Sequence, residues 1–141
     1  MTNRELIEQA TAVVFSHSAR GRLFGDVGAA LLTEKGNLYR GVSIDTASGT
    51  GFCAEHSAIA AMVTAGEYQI RTIVAVWRDD ADRLYVLPPC GRCREFMRQI
   101  DPANLAADVV LGAEHCIPLQ ALLPRHEWPA PLDDEPAQDA T

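Results

Sequence analysis

Thr72-Ile73-Val74-Ala75-Val76-Trp77 is an unbroken apolar, β-branched run, and its reading decides the fold. Alternating polarity marks a strand that is wet on one face, whereas a continuous run marks one covered on both. The run therefore predicts a central strand between two helical layers, and its neighbours supply the helices. Upstream, Cys53 to about Ala65 is alanine-rich with Ile59, Met62 and Val63, a helix that Gly66 can end. Downstream, Arg78 to Arg83 reads as a polar turn, and Leu84 to Leu87 as a short strand stopped by Pro88-Pro89. Gly91 to Ile100 reads as a helix, Ala107 to Leu111 as a last strand, and Leu119 to Leu123 as a short helix ended by Pro124. Toward the N-terminus, Val27 to Thr33 and Leu38 to Ile44 form a hairpin about the turn Glu34-Lys35-Gly36-Asn37. A loop from Ser18 to Asp26 precedes that hairpin, and a second from Asp45 to Phe52 follows it. Asn3 to about His17 carries Leu6, Ile7, Ala10, Val13 and Val14 at helical spacing, with Thr2 as N-cap. The order α-β-β-α-β-β-α-β-α predicts an α/β fold, a three-layer α/β/α sandwich around a mixed five-stranded sheet.

The bulk numbers bound the function. A chain of 141 residues, 48% hydrophobic, fits one domain over residues 1–128. Residues 129–141, with Asp133, Asp134, Glu135 and Asp139 among prolines and alanines, read as a disordered acidic tail. Net charge is −7 and no run of Lys or Arg tracks a phosphate backbone, so nucleic acid is disfavoured as a partner. No stretch is apolar for long enough to cross a bilayer, and Met1 to Gln9 is polar, so no membrane partner and a cytoplasmic location are expected. In that reducing setting the Cys90/Cys93 pair reads as metal-binding or redox-active, not as a structural disulfide.

The chemistry lies in Cys53-Ala54-Glu55 and Pro89-Cys90-Gly91-Arg92-Cys93. Cys53, Cys90 and Cys93 supply three zinc ligands, which leaves one tetrahedral position for water. Glu55 sits too close in sequence to Cys53 to be an obvious fourth ligand, and it can instead shuttle the protons of that water. Three thiolates around Zn²⁺ leave a formal charge of −1, and the predicted starts of two helices fall at the cysteines, where partial positive charge favours anionic sulfur. Arg92 and Arg94 flank the last ligand as candidate donors to it, and His56 stands beside the acid. An all-thiolate structural site completed by Cys116 is an alternative, as is a redox C-x-x-C pair. Trp77 reads as core; Trp128 reads either as core or as the cap of a pocket.

The two motifs together resemble the signature of zinc deaminases, and from about residue 10 to residue 128 the chain resembles the cytidine deaminase superfamily. Phe24-Gly25-Asp26-Val27-Gly28-Ala29-Ala30-Leu31 is similar to the family's Phe-x-Val-Gly-Ala-Ala-Leu strand, with one extra residue after the phenylalanine. Pro89 to Arg94 is similar to the second zinc motif, most closely in blasticidin S deaminases, and Leu122-Leu123-Pro124 resembles a shared Leu-Leu-Pro. The resemblance implies zinc-dependent hydrolytic deamination of an aminopyrimidine nucleoside, cytidine or 2′-deoxycytidine, in pyrimidine salvage. Deamination of a cytosine-nucleoside antibiotic such as blasticidin S, or of a free base, is the competing expectation. It also implies a homotetramer with shared active sites, Glu55 as the proton carrier, and Phe24, Ala54 and Trp128 as substrate contacts. Ser43-Ile44-Asp45 falls where the family's Asn-x-Glu holds the ribose, so Ser43 and Asp45 are the expected sugar contacts. His56 occupies the place of an arginine that tempers the thiolate charge in three-cysteine members.

Overall fold

The computed structural model describes residues 1–134. Its central strand is β4 (Ile70–Arg78), which contains the apolar run. β2 (Arg22–Thr33) lies antiparallel along one edge of β4. The other edge is shared by β5 (Leu84–Leu87), antiparallel, and β6 (Asp108–Gly112), parallel. β3 (Leu38–Asp45) flanks β2, and the short strands β1 (His17–Ala19) and β7 (His115–Pro118) pair with β2 and β6.

Successive side chains of β4 point to opposite faces, and each face has its own helical cover. Val74 and Val76 enter a core with Ala30 and Val110 beneath α1 (Asn3–Thr11), which contributes Leu6 and Ala10. Ile73 and Ala75 enter the larger core with Leu31, Ile59, Met62 and Met97, beneath α2 (Ala54–Thr64) and α3 (Gly91–Ile100). α4 (Leu119–Leu122) closes that face with Leu119. Fully burying each of these aliphatic side chains contributes about 1.5–3 kcal/mol, and a charge at Val74 or Val76 would forfeit it. The sandwich of three layers around a mixed sheet is therefore the physical consequence of one strand that is apolar on both sides.

The sheet has seven strands where five were expected. The two extra ones, His17-Ser18-Ala19 and His115-Cys116-Ile117-Pro118, are short and largely exposed edges that β-propensity does not flag. The expected loop from Ser18 to Asp26 is largely β1 and the start of β2. For the same reason α1 ends at Thr11 and not near His17. The chain must turn so that Phe15 N–H reaches Gly25 O (2.9 Å) and His17 pairs with Phe24. The Thr2 cap is as expected: its hydroxyl accepts from Glu5 N–H at 3.1 Å, and the Glu5 carboxylate returns to Thr2 N–H at 2.6 Å. Within the expected tail, Leu132–Asp134 form an exposed 3-10 turn, and residues from 135 onward lie outside the described residues.

What positions the site is the seating of α2. Gly41 on β3 leaves room for the helix backbone: a Cβ there would stand 2.4 Å from Ala58 N. Ser57 Oγ–H then donates to Val42 O at 2.8 Å, fixing the first turns of α2 against β3. The loop between them is folded back by the pair Ile44–Phe52, with N–H···O distances of 3.0 and 2.9 Å, and this delivers Cys53 to the start of the helix.

Candidate active site

Cys53 is the N-cap of α2, Cys90 is the N-cap of α3, and Cys93 stands in the first turn of α3. Neither cap spends its side chain on the helix backbone, so both sulfurs are free to turn toward each other. Cys90 Sγ lies 3.5 Å from Cys53 Sγ and 3.6 Å from Cys93 Sγ, and the three are all within 4.8 Å of one another. A tetrahedral zinc with Zn–S near 2.3 Å has sulfur–sulfur edges of about 3.8 Å. The residues fit the ion. Among the described residues no fourth Cys, His, Asp or Glu joins this cluster. Cys116, the expected candidate for a closed site, lies exposed on β7 opposite Val110 and outside the cluster.

The thiols divide by environment. Burial pushes the Cys93 thiol far up, with the Glu55 and Cys53 charges adding to it. Burial likewise raises Cys53, helped by Cys90. Cys90 ends below its ordinary value: burial raises it, but the N–H groups of Cys93 and Arg92 at the helix start and the neighbouring sulfurs outweigh that. A bound dication would therefore displace protons from at least two of the three.

Glu55 sits in the first turn of α2, 5% exposed, and opens onto a cavity of about 330 Å³ that Cys53 and Cys90 also line. Burial raises its carboxyl; its own backbone N–H and the Cys93 thiol pull partly the other way. His56 turns away from the cavity. Its Nδ1 is 3.3 Å from Cys93 Sγ, and its ring stacks on Phe96 with centroids 4.5 Å apart and planes 4° apart. Burial, then Arg92, pushes the imidazole below its ordinary value, and against a metal-held thiolate at Cys93 its Nδ1 would be the donor of this contact.

Ser43, Asp45 and Ala54 line the cavity with Glu55 and Arg92. Arg92 Nη1 donates to Gly51 O at 3.3 Å. Arg94 does not turn to the sulfurs. Its Nε donates to Pro89 O at 2.8 Å and its Nη1 to Leu122 O at 3.2 Å, which ties the Cys90 turn to α4. Phe24 is not a cavity wall: it is held in the sheet between His17 and Ile44, ahead of a register shift in β2. Trp128 does not cap the cavity in this chain; it is 94% exposed, beyond the last element that packs on the core. Sequence reasoning missed Asp26, Phe52, Leu87 and Pro88, all of which line the cavity. The inserted residue after Phe24 was the signal for Asp26, since an insertion within a strand must bulge.

Residues 2–109 match the family model described as the cytidine and deoxycytidylate deaminase zinc-binding region. The chain belongs to this family. Among curated relatives of this deaminase-family chain, the cytidine deaminase of Halalkalibacterium halodurans is 39% identical over 79 residues, 55% of this chain and 57% of that protein. The blasticidin-S deaminase of Bacillus cereus is 40% identical over 81 residues, 54% of this chain and 58% of that one. The chain thus spans somewhat over half the length of the curated relatives it matches. Among solved structures, cytidine deaminase from Mycobacterium leprae superposes with a TM-score of 0.69 at 26% identity, covering 89% of this chain and 100% of that one. The Burkholderia pseudomallei enzyme superposes with a TM-score of 0.68 at 28% identity, covering 88% and 98%.

Proposed function

We propose that this chain is a zinc-dependent aminohydrolase converting cytidine or 2′-deoxycytidine to the corresponding uridine and ammonia. One observation carries the reading: a buried carboxyl, Glu55, opens onto a cavity at the rim of a three-sulfur cluster that has no fourth protein ligand among the described residues. Cys53, Cys90 and Cys93 would hold the metal. Zinc, when bound there, supplies the Lewis acidity that makes water nucleophilic near neutral pH. Glu55 takes the proton of the attacking water and delivers it to the ring nitrogen beside the carbon under attack. It then takes up the proton of the hydroxyl newly bonded to that carbon and passes it to the amino group, which leaves as ammonia as the carbon–nitrogen bond breaks and the carbonyl forms. The starts of α2 and α3 and the His56 N–H offset the sulfur charge. Ala54, Ser43 and Asp45 hold the substrate, and Arg92 screens the rim.

The second reading, a deaminase for a cytosine-nucleoside antibiotic such as blasticidin S, is favoured by the 40% identity to the Bacillus cereus protein. A structural zinc module would need a closing ligand, and Cys116 lies outside the sulfur cluster. We further propose a folded unit over residues 1–128, a cytoplasmic homotetramer and a role in pyrimidine salvage. No helix among the described residues is long and apolar enough to cross a membrane.

The test is ammonia release and the ultraviolet change on cytidine, 2′-deoxycytidine, cytosine and blasticidin S, with zinc-loaded protein. Turnover of the first two supports the leading reading, and turnover confined to blasticidin S supports the second. No ammonia from any of them, with one zinc bound, would sink both. Light scattering on the same sample reads the subunit number.

A further inference from the structure

We propose that Asp26 is a specificity-determining residue that turns the cavity toward nucleosides carrying a cationic amino or guanidino group on the sugar. This rests on the deaminase reading above. The residue enters the cavity through a built feature of β2. Opposite Phe24 stands Ile44, whereas opposite Gly28 stands Val42, so three residues of β2, Gly25 to Val27, face the single residue Ser43. This is a β-bulge, and such an insertion redirects side chains. It is locked at Gly25, where φ is +78° and a Cβ would stand 2.2 Å from Phe15 O. The Gly25 carbonyl in turn accepts Phe15 N–H at 2.9 Å.

The bulge settles what the β2–β3 wall of the cavity offers a ligand. Ser43 Oγ–H donates to Asp26 Oδ1 at 3.0 Å and accepts Val27 N–H at 3.2 Å. Its one proton is committed, so Ser43 has no donor left for a substrate. Asp26 and Asp45, both lining the cavity, add carboxylate oxygens and no proton donor. A wall of acceptors pairs with ligand donors, hydroxyls among them, and a cation is the strongest of these.

Asp26 also borders a second, outer groove of about 760 Å³, with Trp77 and Asp80 among its walls. Trp77 is stacked on Tyr85, centroids 5.1 Å apart, which fixes an aromatic surface there. Asp79, which lines that groove, is already engaged, accepting from Ala81, Arg83 and Tyr85, and Arg78 is ion-paired with Asp82 at 3.3 Å although its buried Nε makes no hydrogen bond. The ring would lie at the metal and the cation beside Asp26, with room for an arm to run on over Trp77. The net charge of −7 draws a cation in from solution.

The experiment measures binding and turnover of a charge series with the full chain, zinc-loaded. The series is cytidine, its 2′-, 3′- and 5′-amino-deoxy analogues, and cytidine 5′-monophosphate. Binding is read by calorimetry on Glu55→Gln, which needs no turnover. The expected result is at least one amino analogue about 10- to 100-fold tighter than cytidine, the range of a charge-assisted hydrogen bond. The monophosphate should be weaker than cytidine. Asp26→Asn should erase the preference and Asp26→Glu should retain it, the second variant separating lost charge from a disturbed bulge. Equal binding across the series, tighter binding of the monophosphate at Arg92, or an undiminished preference in Asp26→Asn would overturn the proposal. Preserved cation preference in binding without ammonia release from any substrate would overturn the deaminase reading and leave the assignment of Asp26 standing.

Discussion

Two buried glutamates stand at opposite ends of α2, and their surroundings push them in opposite directions. Glu55, in the first turn, is 5% exposed; Glu67, just beyond the last, is 7% exposed. Glu67 accepts from Tyr39 OH at 2.6 Å, Thr33 Oγ1 at 2.8 Å and Asn37 Nδ2 at 2.9 Å. Those donors, Tyr39 first, hold its carboxyl below the ordinary range despite burial. Glu55 has no such set, and burial pushes it up. The two carboxyls, similarly hidden from solvent, thus differ both in their partners and in how strongly burial acts on them: one is a locked anion that ties α2 to the β2–β3 hairpin, and the other, a helix-length away, is an acid held up mainly by burial.

Substitutions at the two ends test that contrast. The largest expected effect is from Glu55→Gln: turnover falls by about 10²–10⁴-fold, the usual contribution of a positioned proton carrier. The variant keeps one zinc per chain and melts no lower than the parent, because a penalised buried carboxyl has been neutralised. Metal analysis, calorimetry and ammonia release check the three parts. Next is His56→Ala, which removes the N–H on Cys93 Sγ and should weaken zinc binding about 10- to 100-fold in chelator competition. Glu67→Gln should lower Tm by several degrees and leave kcat as it is, the reverse of the Glu55 pattern.

Acid sharpens the comparison further. Glu67 is held below its unfolded value, so its contribution to stability is complete above about pH 4.3 and is lost as pH falls through the lower folded value. Denaturant titrations at stepped pH should show that loss in the parent and a shallower one in Glu67→Gln. The smallest effect is expected from Tyr39→Phe, which removes one of three donors, raises the folded value of Glu67, and so makes the acid loss smaller and complete at a higher pH.

Much of this was legible in the residues. The run from Thr72 to Trp77 foretold a doubly covered central strand, and the two cysteine motifs foretold a cluster at two helix starts. The short, largely exposed edges at His17–Ala19 and His115–Pro118 carry no readable period, because strands that pair at a rim need backbone alone. Phe24, expected from a resemblance, and Arg94 and Trp128, expected from their places in the chain, do not line the cavity in this chain, because their directions depend on a bulge, two carbonyl partners and an exposed chain end. Asp26 was visible only as an insertion until the register gave it a direction.

The most direct measurement is zinc-edge X-ray absorption on the loaded protein, which counts the atoms around the metal. The expected result is three sulfurs at about 2.3 Å and one lighter atom at about 2.0–2.1 Å. Four sulfurs would mean a closed ion with no place for water, and the catalytic reading of Glu55 would be contradicted.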